Sequence, residues 1–251
     1  MTFHSLPRKL LIAHRGYKAK YPENTMAAFK AAMAFGSPMI ELDITLSRDR
    51  KIVVIHDETL DRTTNGSGEV RKHTFTELRS LDAGSWFSPE FKGEKLPSLE
   101  EVLDLCAGKI LVNVEIKPEA HEEPMPGDGI EIQVLETVRR YSMTDSVIIS
   151  SFKMDVIRRI TGMTGEKPLL AMLSEDPLDD TLLDFMVDCR VFSYNPDHTT
   201  LTKEQVDKAH YRGLRVFTYT VNTVDDAKRC FGMGVDGVFT DDPVLLRGAM
   251  K

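Results

Sequence analysis

Polar and hydrophobic positions alternate most strictly over residues 39–46, MIELDITL. Ile40, Leu42, Ile44 and Leu46 fall on one face, and Glu41, Asp43 and Thr45 on the other. That period of two predicts a β-strand. A second β-rich run, 52–57, ends in His56-Asp57. A tight turn at Asp49-Arg50 makes the two runs an antiparallel hairpin and sets Asp43 opposite His56, roughly 5 Å apart at Cβ. Two carboxylates and a histidine then share one face between aliphatic ones. Such a face is either solvated or built around a cation, because two acids buried that close need a positive charge between them.

Before this hairpin, the aliphatic run 9–13 stops at His14-Arg15-Gly16. Asn24-Thr25 then caps a predicted helix that carries Ala27, Ala28, Phe29, Ala31, Ala32 and Phe35 and ends at Gly36. Residues 57–97 break the pattern. They hold a turn-rich TTNGSGEV, a short helix capped at Thr74, and a loop with Trp86, Phe87 and Phe91. Gly66 and Gly68 read as turn glycines with positive φ. Order returns with a capping box, Ser98 to Glu101, that opens a helix ending at Gly108.

From there strands are predicted at 110–116, 147–151, 168–172, 191–194, 215–220 and 237–240, each followed by a helical segment. Two of these helices open at Thr202-Lys203-Glu204-Gln205 and Thr223-Val224-Asp225-Asp226. With 9–13 and 39–46 this makes eight βα units, and most of the strands are continuous apolar runs, as expected when both faces are covered. The pattern predicts an α/β (β/α)8 TIM barrel, a single domain over 1–251, with 57–97 a small insertion capping the pocket beside it. The insertion's aromatic residues are expected to form its own core. A doubly wound sheet is the competing architecture, but no GxGxxG loop follows the first strand.

Composition narrows the class. At 251 residues, 41% hydrophobic and 28% charged, the chain is an ordinary soluble globular protein. Its net charge of −7 argues against a nucleic-acid partner, which needs a basic face. No apolar run approaches the ~20 residues of a membrane span. Cys106, Cys189 and Cys230 are odd in number and widely spaced, which fits free thiols in a reducing compartment. The expected location is the cytoplasm.

Barrel sites form at the C-terminal ends of strands, so the polar residues predicted there belong together. They are His14 and Arg15; Glu41, Asp43 and His56; Asn113, Glu115 and Lys117, which share one face by alternation; Ser150, Ser151 and Phe152; Asn195; and Tyr219 and Asn222. Oxygen ligands from three carboxylates suit a hard divalent cation such as Mg²⁺ or Ca²⁺. Arg15 and Lys117 suit phosphate oxygens, and two histidines at one phosphorus centre are a natural general acid and base. The residues alone point to metal-assisted phosphodiester cleavage.

The segments HRGY…PENT, IELDITLSRD, VVIHDETLDRTTNGSG, ELRSLDAGSWF, LPSLEEVL, NVEIKP, TYTVN and GVFTDDP together resemble the glycerophosphodiester phosphodiesterases, in order and over nearly the whole chain. The resemblance implies a barrel with a small insertion that hydrolyses small-molecule glycerophosphodiesters to glycerol 3-phosphate and an alcohol. By motif, His14 and His56 match the catalytic histidines, and Glu41, Asp43 and Glu115 match the metal ligands. Arg15 matches the phosphate-binding arginine, and Lys117 a lysine at the same pocket. Tyr219 stands where many members have Trp before Thr-Val-Asn, so contacts to the alcohol are expected to differ. The segment 121–129 also falls where substrate-range variants differ. Asp241-Asp242-Pro243 is expected to cap the last helix. Rival readings are a lysophospholipase D, which needs an apolar entry for an acyl chain, and a non-catalytic binding module, which would have lost a histidine or a carboxylate.

Overall fold

The structure, a computed structural model, describes residues 3, 6 and 9–247. Nine strands among these form one sheet: β1 (Leu10–Ala13), β2 (Met39–Leu46), β3 (Ile52–Val54), β4 (Leu111–Ile116), β5 (Val147–Ser151), β6 (Leu169–Ser174), β7 (Ser193–Pro196), β8 (Arg215–Thr218) and β9 (Gly237–Thr240). Eight are parallel and close on themselves, since β1 pairs with both β9 and β2. β3 lies outside the ring, antiparallel to the end of β2. Helices α1 (Met26–Ala34), α3 (Leu99–Cys106), α4 (Ile130–Arg140), α5 (Met154–Gly162), α6 (Asp180–Asp188), α7 (Lys203–Tyr211), α8 (Val224–Met233) and α9 (Pro243–Leu246) follow the strands, and α2 (Phe75–Ser80) belongs to the 57–97 segment. This is the expected (β/α)8 barrel. No helix among the described residues is long and apolar enough to cross a membrane.

The two faces of each strand do different work. Outward positions such as Leu11, Ile40, Leu42, Val112, Val114 and Ile149 pack with helix residues including Phe29, Leu103, Val134 and Ile157. Inward, Leu10, Ile12, Met39, Leu111, Ile148, Ala171, Phe217 and Phe239 form a separate apolar plug. Two residues further along the same inward faces the chemistry changes, to His14 after Ile12, Glu41 after Met39, Asn113 after Leu111 and Ser150 after Ile148. The plug fills one half of the barrel, and polar groups line the half toward the strand C-termini.

The hairpin register is one residue away from expectation. Ile44 pairs with Val54 and Leu46 with Ile52, so Ile55, not His56, stands opposite Asp43 and donates its N–H to the Asp43 carbonyl at 3.1 Å. The cause is the turn. Ser47 and Lys51 close it (2.9 Å), Arg50 takes a left-handed φ of 61°, and the turn therefore centres on Asp49. His56 lies past the end of β3, free of the ladder.

Three strands also end elsewhere than predicted. β6 runs on to Ser174, and β8 stops at Thr218. β7 starts two residues late because the Val191 N–H bonds back to the Met186 carbonyl at the end of α6, and it runs on to Pro196. The caps at Thr25, Thr74, Ser98, Thr202 and Thr223 form as expected.

In the 57–97 segment, Leu60, Val70, Leu78, Ala83 and Leu96 cluster with Val53 and Ile55, the two hairpin residues that turn away from the barrel. Trp86, Phe87 and Phe91 lie outside this cluster, contrary to expectation. Trp86, Phe87, Phe91 and Tyr21 meet edge-on or tilted in succession with centroids 5.4–5.7 Å apart, bridging the segment to the β1–α1 loop. With Val53 and Ile55 supplying apolar surface from the hairpin, the rings are left to fill the seam. Gly68 has the expected positive φ of 87°. Gly66 does not; it is small because a Cβ there would meet Leu81 at 2.7 Å.

Candidate active site

Glu41 and Asp43 on β2 and Glu115 on β4 converge, each offering an oxygen within 4.8 Å of the others, and all three are buried. The sheet register explains this, because Asp43 is the direct neighbour of Glu115 and Glu41 that of Asn113. Burial, with Asp43 and Glu115 close by, pushes the Glu41 carboxyl well above its ordinary value. Burial and Asp43 likewise push Glu115 up to about 7, against the pull of Lys117 and Arg15. Burial also opposes ionisation of Asp43, but Arg15, Lys117, His56 and the Asn24 amide outweigh it and hold Asp43 below its usual value.

Two cations serve these three acids. Lys117 Nζ lies 3.0 Å from Glu115 and 3.6 Å from Asp43. Arg15 Nε lies 3.3 Å from Asp43, its Nη1 donates to Glu23 at 2.8 Å, and its backbone N–H donates to Glu41 Oε2 at 2.7 Å. That last bond is made with Arg15 at a φ of 52°, a left-handed conformation uncommon outside glycine. Gly16 follows at φ 83°, where a Cβ would meet the Ala28 backbone at 2.7 Å. The loop is thus pressed against α1 while Arg15 faces the acids. Asn24 Nδ2 donates to Asp43 Oδ2 at 2.8 Å.

The cluster suits a cation. Three carboxylates exceed two positive groups, and the buried Glu41 Oε1 has no hydrogen-bond partner. All-oxygen donors of this kind suit Mg²⁺ or Ca²⁺.

The histidines are wired alike. His14 Nδ1 lies 2.7 Å from Asp241 Oδ1, and His56 Nδ1 lies 2.7 Å from Asp57 Oδ1. Asp241 is held ionised, at about 2, because His14, Lys18 and Asn222 together outweigh burial. Asp57 is held low chiefly by Arg62, which grips both its oxygens at 2.7 and 2.9 Å. An ionised carboxylate only accepts, so Nδ1 carries the proton in each ring and Nε2 remains for the pocket. Burial is the largest influence on both imidazoles and lowers both below their ordinary range.

A cavity of about 800 Å³ joins these groups. It is lined by the polar His14, Arg15, Glu41, His56, Glu115 and Lys117, and by Phe152, Met154, Met172, Leu173, Leu182 and Tyr219. Tyr219 donates its hydroxyl to the Ser174 carbonyl at 3.0 Å and meets Phe152 edge-on. The structure therefore gathers all the residues singled out at the strand ends as catalytic, phosphate-binding or metal-ligating. It also adds supporting residues that the sequence reading passed over: Asp57, Arg62, Glu23 and Asn24. Of the Asp241-Asp242 pair, only Asp242 caps α9 as expected. Asp241 is turned to His14 instead, since β9 lies beside β1 and delivers it there. The signal was present for Asp57, which follows His56 directly, and absent for Arg62, one charge among many in an irregular segment.

A family profile described as the Glycerophosphoryl diester phosphodiesterase family matches residues 14–245. The chain is 38% identical over 240 residues to a glycerophosphodiester phosphodiesterase of Caldanaerobacter subterraneus, covering 95% of this chain and 96% of that one. A glycerophosphodiester phosphodiesterase of Bacillus subtilis is 32% identical over 260 residues, covering 97% and 87%. The structure of an Oleispira antarctica phosphodiesterase in complex with the product sn-glycerol-3-phosphate is similar at a TM-score of 0.89 and 28% identity, covering 99% and 98%. The profile begins at His14 and passes Asp241, so it takes in every residue of the site just described, and the chain belongs to the glycerophosphoryl diester phosphodiesterase family.

Proposed function

We propose that this chain hydrolyses glycerophosphodiesters to sn-glycerol 3-phosphate and an alcohol, with a divalent cation at Glu41, Asp43 and Glu115 and with His14 and His56 as general acid and base. One observation carries the reading: two histidines, each fixed through Nδ1 by its own carboxylate, line the cavity that Glu41 and Glu115 of the carboxylate triad also line. Cleavage needs one proton taken from the nucleophile and one given to the departing alkoxide, and two imidazoles of fixed tautomer divide that work. A bound Mg²⁺ or Ca²⁺ supplies positive charge that draws in and polarises the diester. Arg15 and Lys117, already among the acids, are placed to hold phosphate oxygens. Tyr219 and Phe152 form a wall for the alcohol. A non-catalytic module is disfavoured because both histidines and all three acids are in place.

The chain is read as one domain over 1–251 with 57–97 as a cap, supported by the separate apolar cluster of that segment. Three buried free cysteines support a cytoplasmic setting.

A lysophospholipase D is the second reading, favoured by the apolar wall of Phe152, Met154, Met172, Leu173 and Leu182. Glu175, Asp176 and Asp179 share that wall and are exposed, which counts against a buried acyl chain there. Phosphorus NMR of products from glycerophosphocholine, glycerophosphoethanolamine, glycerophosphoglycerol and lysophosphatidylcholine, with and without chelator, tests both readings. The soluble diesters are expected to yield glycerol 3-phosphate only when cation is present. Full turnover in excess chelator overturns the metal assignment. Lysophosphatidylcholine turnover rivalling that of glycerophosphocholine overturns the substrate ranking.

A further inference from the structure

On the inner face of the barrel the three acids occupy three corners of a four-residue block. Glu41 and Asp43 stand two apart on β2, Asn113 and Glu115 stand two apart on β4, and the register sets Glu41 beside Asn113 and Asp43 beside Glu115. Asn113 is the fourth corner. It is 2% exposed and lines the same cavity as Glu41 and Glu115. Its Nδ2 donates to the Ser150 hydroxyl at 2.8 Å, which fixes the plane of the amide. Its Oδ1 has no hydrogen-bond partner, and neither does Oε1 of its neighbour Glu41. Two buried acceptors on paired residues cannot satisfy each other, because neither carries a proton to give. A buried acceptor left unmet costs free energy, and native interiors rarely keep one. The partner has to come from outside the chain, and with carboxylates on the other corners a cation is the partner that serves all four at once.

We infer that Asn113 Oδ1 is the fourth protein oxygen around the divalent cation. The inference rests on the metal reading above and extends it to a residue whose side chain is neutral. An amide carbonyl is a normal ligand for a hard cation. It adds an oxygen without adding to the mutual repulsion of three carboxylates already close together. Ser150 then acts at one remove, by holding the amide with its oxygen toward the ion.

Calorimetric titration of the chelator-stripped protein with Ca²⁺ and with Mg²⁺ tests this, together with the rise in thermal midpoint that each cation produces. Asn113→Leu keeps the bulk and removes the oxygen, and is expected to weaken cation affinity by about ten-fold or more. Asn113→Asp keeps an oxygen at the same corner and is expected to bind the cation at or near the wild-type affinity. A folded Asn113→Leu that titrates like the wild type overturns the inference. If that variant fails to fold, a folded Asn113→Asp with lost affinity overturns it instead. Failure of the wild type to bind either cation overturns the metal reading itself, so the two failures are distinguishable.

Discussion

Arg62 and Glu23 meet in a doubly hydrogen-bonded pair, Nη1 to Oε2 at 2.9 Å and Nη2 to Oε1 at 2.8 Å. Arg62 comes from the 57–97 segment and Glu23 from the loop after β1, so the pair joins the two. Through it His56, Asp57, Arg62, Glu23, Arg15 and Asp43 form one continuous polar chain. Burial alone would raise the Glu23 carboxyl; Arg62 and Arg15 outweigh it and bring it from 4.5 to about 2.

That depressed value makes stability depend on acid. The native state holds the Glu23 proton less tightly than the unfolded chain does, so the contribution is complete above about pH 4.5. It falls away as pH drops toward about 2. A shift of this size corresponds to on the order of 3 kcal/mol. Denaturant unfolding of the wild type and Glu23→Gln is expected to show that gap at pH 7 and 5, a narrower one at pH 3, and none near pH 2. A gap independent of pH would show that Glu23 contributes by packing and not by charge.

Removing the carboxylates behind the histidines should damage turnover without touching the cation. In Asp241→Asn or Asp57→Asn the amide no longer dictates which ring nitrogen carries the proton. The expected loss in kcat is about 10²-fold or more. Cation affinity measured by calorimetry should stay within a few-fold of wild type. Loss of cation binding in either variant would move that aspartate into the metal site.

The histidines themselves should behave as one device. Each of His14→Ala and His56→Ala is expected to cost on the order of 10²–10⁴-fold in rate, and the double variant far less than the product of the two. The pH profile of kcat/KM should be bell-shaped, with limbs that belong to the pair. A nitrophenyl diester leaves without needing a proton, so it should rescue the variant that lacks the acid and not the one that lacks the base. Rescue of neither would reassign a histidine to binding.

Trp86 bridges the insertion to the barrel through Phe87, Phe91 and Tyr21, and its indole N–H donates to the Ala83 carbonyl at 2.9 Å. Trp86→Ala is expected to lower the thermal midpoint or raise KM, because the seam holds the segment that carries Arg62. Cation affinity should be unchanged. A folded variant that loses its cation would place the insertion in the metal site.

Local pattern made most of this legible. Alternation in 39–46 announced β2 and the placement of Glu41 and Asp43 on one face, and the Ser98, Thr202 and Thr223 caps announced their helices. What stayed hidden depends on contacts between distant segments or on backbone detail. The position of His56 turned on a left-handed Arg50 that shifts a register by one, and arginine is not a residue that signals positive φ. Arg62 gave no sign of reaching Asp57 and Glu23, because an irregular segment has no period from which to read direction. Trp86 and Phe91 were expected to be buried with each other for want of any visible partner, and Tyr21 was the partner. Asp241 next to Asp242 looked like one more helix cap, since adjacency in sequence cannot tell which of two acids faces another strand.

Closure of the barrel has a consequence for the timing of activity. His14 at the end of β1 receives its partner from beyond β9, 227 residues later, and its own backbone N–H bonds to the Thr240 carbonyl. His14 is thus made 227 residues ahead of its partner and lacks that carboxylate until β9 has docked beside β1. At roughly 5–20 residues per second, a growing chain spends on the order of ten seconds or more between making His14 and making Asp241. Truncated products that stop short of β9 leave β1 without its neighbour and His14 without Asp241, and should be inactive toward diesters.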